Sequence, residues 1–580
     1  MKFSKLAEYY EKLEATSKRL ELIDILSKLF KESDAVEIGK IVYLIQGRVA
    51  PFFEATEIGM AESMVAQAVG KAYGKTKDQV LAHYRKRGNI GLAAQDHAKS
   101  LNIKSNLTVT QVFDELLKIA KTGGVGSVEK KIETLANLIK KLDDISVKHV
   151  VNIPLGTLRL GIGDPTVLDA LSIARTGDKK LRPILEDAYN KTSDLGFVAE
   201  TFFKHGEKAV LETKLIVGKP IRPALAERMP NAEEAVKRLG DTFAAEPKFD
   251  GFRVAVHKNG DDVKLFSRNL ENMTAMFPDL VLGVKREVKA KSAIMEGEAI
   301  AYNPQTEEFL PFQETTKRRR KYDIEAKSKE LPLVLFAFDI LYLNGSDITQ
   351  KPQKERRKLL ESILMKHNLV IRQAEERILH TAAEITNFFN EAVSEGLEGL
   401  MLKKLDSPYK AGGRGFHWIK FKRSSAGELT DTLDCVLLGV YAGKGKRTDF
   451  GVGGLLIGVY DKKTDKFDTI SRLGTGLTDE EFREVNEIAK KLKVSHKPAR
   501  VYSKIEPTYW VEPKVVMEIY ADEITKSPNH TAGENEEGIG FALRFPRLVK
   551  FRDKDKRAED ATTVDEIKKL FASQYHNHKK

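Results

Sequence analysis

The residues best able to do chemistry lie in the hexapeptide 248–253, which reads KFDGFR. A lysine amine is a nucleophile only when it is neutral. Because the ordinary pKa of lysine is about 10.4, Lys248 would need desolvation or neighbouring cations to react. The four fixed positions of the pattern K-x-D-G-x-R arise by chance in about 1% of chains of this length. A strand that ends in an Asp-Gly turn with two solvated basic residues would give the same pattern, so the hexapeptide alone leaves both interpretations open.

Several short polar clusters follow the hexapeptide within or beside apolar, strand-like runs. They are 267–269 (SRN), 295–298 (MEGE), 336–341 (FAFDIL), 398–403 (EGLMLK), 418–422 (WIKFK) and 544–547 (RFPR). Because side chains alternate along a strand, Lys420 and Lys422 point to one face and Phe421 to the other. By the same rule, Glu246 shares a face with Lys248. The pattern predicts that strands carry these side chains towards a common pocket.

This ordered series resembles the motifs of the covalent nucleotidyltransferases, the superfamily of ATP-dependent DNA ligases, RNA ligases and mRNA capping enzymes. Over essentially all 580 residues, the chain resembles an ATP-dependent DNA ligase of the archaeal and eukaryotic replicative type. The resemblance implies sealing of nicks in double-stranded DNA during replication, repair and recombination. It implies that Lys248 attacks the α-phosphate of ATP, holds AMP as a phosphoramidate and passes it to the 5′-phosphate at the nick, from which the 3′-hydroxyl displaces it. ATP and Mg²⁺ or Mn²⁺ are the implied cofactors.

The resemblance also implies a role for most positions of the series. Glu246 helps to select adenine, Arg253 and Glu298 contact the ribose, and Phe338 stacks on the base. The implied ATP-binding residues are Glu246, Arg253, Arg268, Glu298, Phe338, Lys403, Lys420, Lys422 and Arg547; the implied catalytic residues are Lys248, Lys420, Lys422, Arg544 and Arg547; the implied metal ligands are Glu298 and Glu398. An isolated FAFD string would more often contain an ordinary core phenylalanine, and Glu296, where the family commonly has Asp, is left without a role.

Cationic surroundings and a movable clamp are two further expectations. If the clusters converge, Lys248 is surrounded by basic residues that lower its pKa and neutralise charge on the α-phosphate. These are Arg253, Arg268, Lys403, Lys420 and Lys422. Arg544 and Arg547 would orient the β- and γ-phosphates during enzyme adenylation and then leave so that DNA can enter, which requires domain rotation. A surface arginine pair beside a proline turn would look the same.

The segments that must position these residues change in character twice. Amphipathic spacing, as at Phe3, Leu6 and Tyr10, predicts helices over about the first 215 residues. After 218–223 (GKPIRP), alternating strand-like runs mix with helical segments, and after Lys422 short strands with glycine-rich turns lead to a final helix. The prediction is a multidomain protein with an all-α N-terminal DNA-binding domain (1–215), an α+β nucleotidyltransferase (adenylation) domain (216–423) and a C-terminal β-barrel OB-fold with a terminal helix (424–580).

Composition narrows the class of protein. The net charge of +12 favours a polyanionic partner, although a lysine-rich surface would also explain it. A single cysteine, Cys435, excludes an intrachain disulfide, a four-cysteine zinc site and an iron–sulfur cluster, and it disfavours the zinc-containing NAD-dependent ligases. No apolar run approaches the roughly 18 residues of a membrane span, and the charged start is unlike a signal peptide. A cytoplasmic, nucleoid-associated monomer without a membrane partner is expected.

Basic clusters in all three segments are candidate contacts to nicked double-stranded DNA. The run 317–321 (KRRRK) could be a targeting signal or a solvated loop, but its place inside the catalytic segment favours phosphate contact. Segments 83–91 and 156–163 combine basic residues with glycines at helix ends, where backbone amides bind phosphates without reading bases. The candidates are Arg85, Lys86, Arg87, Arg159, Lys317, Arg318, Arg319, Arg320, Lys321, Lys444, Lys446 and Arg447. A sliding clamp is a further candidate partner.

Two other kinds of function remain open from the sequence. A capping guanylyltransferase or an RNA ligase would share the hexapeptide, but the basic helical N-terminal segment favours a DNA ligase. A non-enzymatic DNA-binding scaffold could keep a degenerate ligase fold, but the intact motif residues favour an enzyme. Labelling with ATP against GTP, and the substitution Lys248→Ala, would separate these alternatives.

Overall fold

The computed structural model describes the chain except residues 55, 159, 230, 303–309, 311–314, 316, 319–322, 366–368, 395–396, 423–431, 443–451, 475–476, 478, 553–554 and 577–580. The side chains at 393–394, 414, 416, 422, 479 and 575–576 are also outside the description. None of the described helices is long and apolar enough to cross a membrane.

The N-terminal region is helical, as predicted, and its helices pack around one apolar core. Phe3, Leu6 and Tyr10 are fully buried in it. The helices are α1 (Phe3–Glu14), α2 (Arg19–Glu32), α3 (Ile38–Ile45), α4 (Glu62–Tyr73), α5 (Lys77–Arg87), α6 (Ile90–Lys99), α7 (Val109–Lys121), α8 (Ser127–Ile139), α9 (Asp144–Asn152), α10 (Asp164–Thr176), α11 (Arg182–Thr192) and α12 (Leu195–Leu211). Thr76 and Thr108 start α5 and α7 with capping boxes that satisfy the first backbone amides.

The middle region contains two sheets with helices on their outer faces. Its strands are β1 (Leu225–Arg228), β2 (Phe243–Lys248), β3 (Phe252–Asn259), β4 (Asp262–Ser267), β5 (Ser292–Ala301), β6 (Leu333–Leu343), β7 (Ser346–Asp347), β8 (Ile371–Gln373), β9 (Arg377–Leu379), β10 (Gly399–Lys404) and β11 (Arg414–Lys422). Its helices are α13 (Ala232–Leu239), α14 (Pro278–Glu287), α15 (Ile324–Glu330), α16 (Gln353–Ile363) and α17 (Ala382–Ser394), with a 3₁₀ turn at Thr274–Met276. One sheet has the order β1-β11-β10-β2-β9, and the other has the order β4-β3-β5-β6-β7 with β8 beside β6.

The hexapeptide crosses from one sheet to the other. Lys248 is the last residue of β2, and Arg253 is the second residue of β3. Gly251 is required at the crossing because a Cβ there would lie 2.3 Å from the carbonyl oxygen of Ala299. An apolar cluster that includes Tyr409 and Trp418 packs between part of the two sheets. The two sheets therefore bring their motif strands face to face.

The C-terminal region is rich in strands and ends in a helix, as predicted. Its elements are β12 (Leu433–Tyr441), β13 (Gly454–Asp461), β14 (Lys466–Leu473), α18 (Asp479–Leu492), β15 (Lys493–Val494), β16 (Val501–Tyr502), β17 (Tyr509–Val511), β18 (Val516–Tyr520), β19 (Glu523–Ser527), β20 (Gly540–Arg544), β21 (Arg547–Phe551), a 3₁₀ turn at Ala558–Asp560 and α19 (Val564–His576). Strands β12–β18 and β21 form one sheet, and β19 pairs with β20. Helix α18 was not predicted, although Phe482, Val485 and Ala489 have helical spacing and pack into the core of this region.

Candidate active site

A cavity lies between the two middle sheets and is closed on one side by the C-terminal region. From the middle region it is lined by Glu246, Lys248, Asp250, Arg253, Arg268, Glu298, Phe338, Glu398, Lys403, Trp418 and Lys420, and from the C-terminal region by Asp434, Arg552, Asp555, Lys556 and Asp560. The clusters that the sequence predicted to converge do so here, apart from Arg544 and Arg547, which do not line the cavity. The side chain of Lys422 lies outside the described residues.

Strand register explains why these side chains share one wall. In the pairing of β2 with β10, Glu246 lies opposite Met401, and in the pairing of β10 with β11, Met401 lies opposite Lys420. Neighbours in a row across a sheet point to the same face. Glu246 and Lys420 therefore face the cavity together, and alternation along β2 places Lys248 on the same face.

The surroundings of Lys248 differ from the predicted ring of cations. Its amine pairs with the carboxylate of Glu398. The backbone N–H of Glu398 donates to the carbonyl of Lys248 (3.0 Å), which ties the two residues together. Lys550 of the C-terminal region approaches the same group, with its amine 3.8 Å from Glu398 Oε1 and 3.1 Å from Asp250 Oδ1. The basic residues line the cavity, but a carboxylate makes the direct contact with Lys248.

The pKa of the Glu298 carboxyl group is higher than the ordinary value for glutamate. Burial and the neighbouring Glu398 together raise its pKa to about 7, although Lys248 and Arg253 act in the opposite direction. Within the described part of the chain, its side chain makes no hydrogen bond or ion pair. A partly buried carboxyl without a partner is suited to a cation. Mg²⁺ is commonly held by one or two carboxylates together with substrate phosphates, so Glu298 and Glu398 fit such an ion.

One end of the cavity combines aromatic rings with a buried ion pair. Lys403 is 1% exposed, and its amine lies 2.6 Å from Glu246 Oε2. The amine also lies 4.9 Å from the ring centroid of Phe338 and 4.6 Å from that of Trp418. The two rings meet edge to face, with centroids 5.9 Å apart. Trp418 had no assigned role, although its position two residues before Lys420 on the same strand indicated the same face.

The structure shows what surrounds Glu296, a residue to which the sequence assigned no role. Glu296 is 1% exposed and does not line the cavity. Its carboxylate lies behind Arg253 and pairs with the guanidinium at 2.7 Å. Position 296, where the resemblance leads us to expect Asp, therefore carries the carboxylate that holds Arg253.

The predicted arginine pair lies elsewhere in this domain arrangement. Arg544 and Arg547 each have 59% of the side chain exposed and face Glu523 (3.6 Å) and Asp522 (3.9 Å). They flank the exposed turn between β20 and β21, and β21 then leads the chain inward to Arg552 at the cavity. The clamp function of this pair stays a prediction, because it requires a different placement of the C-terminal region.

Arg552 and Lys556 are basic residues of the cavity to which the sequence assigned no role. Lys556 pairs with Asp434, and burial, with Arg552, lowers its pKa to about 7, although Asp434 acts against this. Arg552 pairs with Glu518 at 2.8 Å and with Asp555 at 2.5 Å. The dense run of charges at 550–556, directly after the RFPR cluster, was the available signal.

Of the candidate DNA-contact residues, some are exposed, one is buried and others lie outside the described residues. Arg85, Lys86 and Arg87 are exposed, but they form the last turn of α5, where backbone carbonyls rather than amides are free. Lys317 is exposed. The prediction for Arg318 is wrong, because this side chain is buried and pairs with Asp279 at 2.7 Å. Arg159, Arg319, Arg320, Lys321, Lys444, Lys446 and Arg447 lie outside the described residues.

The segment 156–163 leads into a surface that the C-terminal region covers. At the start of α10, the Thr166 hydroxyl donates to Asp465 Oδ2 (2.9 Å), in the turn between β13 and β14. Arg557 pairs with Asp164, the first residue of α10, at 2.9 Å. In this arrangement, the C-terminal region therefore contacts both the cavity and a candidate DNA surface.

Three family models match the chain. They are described as DNA ligase N terminus (residues 2–172), ATP dependent DNA ligase domain (223–422) and ATP dependent DNA ligase C terminal region (448–556). The chain is 50% identical over 574 residues to a probable DNA ligase of Dictyoglomus turgidum, covering 99% of this chain and 98% of the relative. It is 43% identical over 590 residues to DNA ligase 2 of Thermofilum pendens (99% and 97% covered) and 41% identical over 590 residues to the DNA ligase of Saccharolobus solfataricus (99% and 98% covered).

Proposed function

The chain belongs to the family of ATP-dependent DNA ligases, enzymes that seal nicks in DNA, and from this premise we propose that Lys248 carries the AMP. In the first step, the Lys248 amine loses a proton and forms an N–P bond with the α-phosphate of ATP, and the P–O bond to pyrophosphate breaks. In the second, an oxygen of the 5′-phosphate at the nick takes the AMP and the N–P bond breaks. In the third, the 3′-hydroxyl attacks that 5′-phosphate, and AMP leaves.

The observation that carries this assignment is the convergence of the motif strands around Lys248. Its side chain reaches a cavity that also contains Lys420 and Arg268, and cations at that place stabilise charge that develops on the transferred phosphate. The ion pair with Glu398 holds the amine near the hexapeptide turn. An ordinary solvated Asp-Gly turn would not need these groups from distant parts of the chain.

We assign the other cavity residues to the adenine, the ribose and the phosphates of ATP. Glu246, Phe338 and Lys403 would receive the adenine, with Arg253 and Glu298 at the ribose. Arg268, Lys420 and Lys422 would face the phosphates. Arg552 and Lys556 would contact the outer phosphates while the C-terminal region is docked, and Arg544 and Arg547 would do so only after a rotation of that region.

A divalent ion is part of the proposal. Glu298 and Glu398 would hold Mg²⁺ or Mn²⁺, because both carboxylates line the cavity and Glu298 has no partner among the described residues. Such an ion supplies charge neutralisation on the transferring phosphate. Around it, Lys248 provides the nucleophile and the cavity walls orient the nucleotide.

The domain organisation and partners complete the proposal. Residues 1–215 would form an all-α DNA-binding domain, 216–423 the adenylation domain, and 424–580 an OB-fold with a terminal helix. Nicked duplex DNA would pass between these domains, with exposed basic residues such as Arg85, Lys86, Arg87 and Lys317 against its backbone. The enzyme would act as a monomer on the nucleoid in the cytoplasm, with a sliding clamp as a further partner.

Detection of the protein–AMP adduct tests the function directly. Incubation with α-labelled ATP and a divalent ion, without DNA, should label the wild type on a denaturing gel, and peptide mapping should identify Lys248. Lys248→Ala should remove the label while nicked-DNA binding persists. Lys462→Ala, at an exposed lysine that does not line the cavity, is the matched control and should keep the label. Labelling by GTP would support a capping enzyme, and no adduct in the wild type would support a scaffold.

A further inference from the structure

Arg253 has almost no hydrogen-bonding capacity left for a ligand. A guanidinium carries five N–H donors. Arg253 Nε donates to Glu296 Oε1 (3.2 Å), and Nη2 donates to Glu296 Oε2 (2.7 Å) and to the Tyr409 hydroxyl (3.3 Å). Nη1 donates to the carbonyl of Ala224 (2.8 Å). Within the described part of the chain, a single N–H on Nη1 is therefore left uncommitted.

The groups that hold Arg253 also hold each other. The Tyr409 hydroxyl donates to Glu296 Oε2 (2.7 Å) and accepts from the backbone N–H of Ala224 (2.8 Å). Glu296 is 1% exposed and Tyr409 4% exposed. Both oxygens of Glu296 are engaged on the same guanidinium, which is the geometry that fixes the plane of an arginine. Glu296, Tyr409 and Ala224 thus form a closed set of partners behind Arg253.

The faces of the guanidinium are confined as well. Its central carbon lies 5.4 Å from the ring centroids of both Phe338 and Trp418. Burial alone would lower the pKa of Arg253, but Glu296 and Tyr409 outweigh burial, and the pKa is raised. The side chain is therefore a fixed cation at the wall of the cavity. It cannot reorient without breaking several buried bonds.

We propose that Glu296 and Tyr409 are positioning residues that fix the Arg253 guanidinium and so govern the capture of ATP, while leaving the phosphoryl transfer at Lys248 unchanged. The proposal rests on the proposed function, because it requires the nucleotide to bind beside Arg253. Neither residue lines the cavity, so both act through Arg253. Because the guanidinium is already fixed before ATP binds, Arg253 loses no further conformational entropy on binding. We therefore expect Glu296 and Tyr409 to affect the affinity for ATP.

The test measures enzyme adenylation as a function of ATP concentration. Glu296→Gln keeps the shape of the side chain but removes its charge, and it should raise KM for ATP by about tenfold, because charge-assisted hydrogen bonds are lost. Tyr409→Phe removes one hydroxyl and should raise KM about threefold. In both variants, kcat for adenylation should stay within about twofold of the wild type. Glu296→Asp keeps the charge and should restore much of the affinity.

Tyr43→Phe is the matched control. Tyr43 donates to the buried carboxylate of Asp194 (2.5 Å) in the helical region, so the substitution removes a similar hydrogen bond far from the cavity. It should lower thermal stability about as much as Tyr409→Phe and leave KM unchanged. An equal rise of KM in Tyr43→Phe would overturn the proposal, since the effect would then follow stability alone.

The remaining outcomes are also decisive. An unchanged KM in Tyr409→Phe and Glu296→Gln, or a loss confined to kcat, contradicts the proposal. If Glu296→Gln does not fold, Tyr409→Phe decides by itself. A wild type that forms no AMP adduct would refute the proposed function and this inference together. A labelled wild type with unaffected variants would refute only the inference.

Discussion

The two walls of the cavity are built in different ways. The wall from the middle region consists of buried groups that pair within the two sheets, such as Lys403 with Glu246 and Arg253 with Glu296. The wall from the C-terminal region is joined to the middle region by a few ion pairs, including Lys550 with Asp250 and Arg228 with Asp434 (3.7 Å). If the proposed function is right, the adenine end of the cavity is permanent, whereas the phosphate end is complete only while the C-terminal region is docked.

The helical region shows the same contrast. Its core is continuous and apolar, but the C-terminal region meets α10 through polar contacts at Asp164 and Thr166. Polar contacts between regions cost less to break than buried apolar packing. A molecule assembled in this way can release the C-terminal region and expose both the cavity and the candidate DNA surface without unfolding any core.

The largest expected effect compares the two walls by stability. Lys403→Met leaves the buried Glu246 with one ion pair among the described residues, to Arg357 at 3.4 Å, and should lower the free energy of unfolding by about 3 kcal/mol. Lys550→Met removes a contact with the partly exposed Asp250 and longer contacts with Glu398 (3.8 Å) and Glu518 (3.9 Å), and it should cost less, about 1 kcal/mol. Chemical denaturation followed by tryptophan fluorescence, from Trp418 beside Lys403 and Trp510 in the C-terminal region, measures both changes. Equal losses would contradict the distinction between the walls.

Removal of a phosphate contact should separate the reaction steps. Lys556→Met should slow enzyme adenylation by about 100-fold, because a buried cation at the phosphate end is lost. Sealing of DNA that already carries AMP at the nick should change by less than about threefold. The measurement is single-turnover kinetics of each step, with Lys462→Ala as control. An equal loss in both steps would mean that the C-terminal wall stays docked throughout the reaction.

The lowered pKa of Lys556 predicts that KM for ATP depends on pH. With a pKa lowered to about 7, this amine loses its charge as the pH rises from 6 to 8, so KM for ATP in enzyme adenylation should rise by up to about tenfold per pH unit above 7. Lys556→Arg stays charged and should show a flatter profile over the same range. The profile of KM against pH for the two proteins is the measurement, and parallel profiles would exclude Lys556 as the titrating group.

The smallest effect concerns the contact with α10. Asp465 has a left-handed backbone (φ 56°), which asparagine tolerates well, so Asp465→Asn should keep the turn while weakening the contacts to Thr166 and to Arg500 (2.7 Å). Easier release of the C-terminal region should tighten binding of nicked DNA by about threefold. Asp461→Asn, at the start of the same turn, should have no effect, because Asp461 accepts hydrogen bonds from the backbone N–H of Lys463 and the hydroxyl of Thr464, both within the turn. Fluorescence anisotropy with labelled nicked DNA would show whether the two variants differ.

Local spacing predicted which strands converge on the cavity, while the roles of the residues stay predictions. Alternation placed Glu246 with Lys248 on one face of β2 and Lys420 with Lys422 on one face of β11, and the ordered clusters identified the strands that converge. The helical start and the strand-rich end followed from periodicity in the same way. Helix α18 also has helical spacing at Phe482, Val485 and Ala489. It was not predicted, because the short strand-like runs before and after it indicate an all-strand segment.

The sequence by itself determined which residue types were available and which of them share a strand face, because these properties depend only on near neighbours along the chain. Only the tertiary structure decided the partners: Glu398 against Lys248, Glu296 behind Arg253, Arg552 and Lys556 at the cavity in place of Arg544 and Arg547, and Arg318 buried against Asp279. Pairings such as Lys550 with Asp250 join residues 300 positions apart. Burial and charge pairing at that separation are set by how whole regions pack, which no local pattern records.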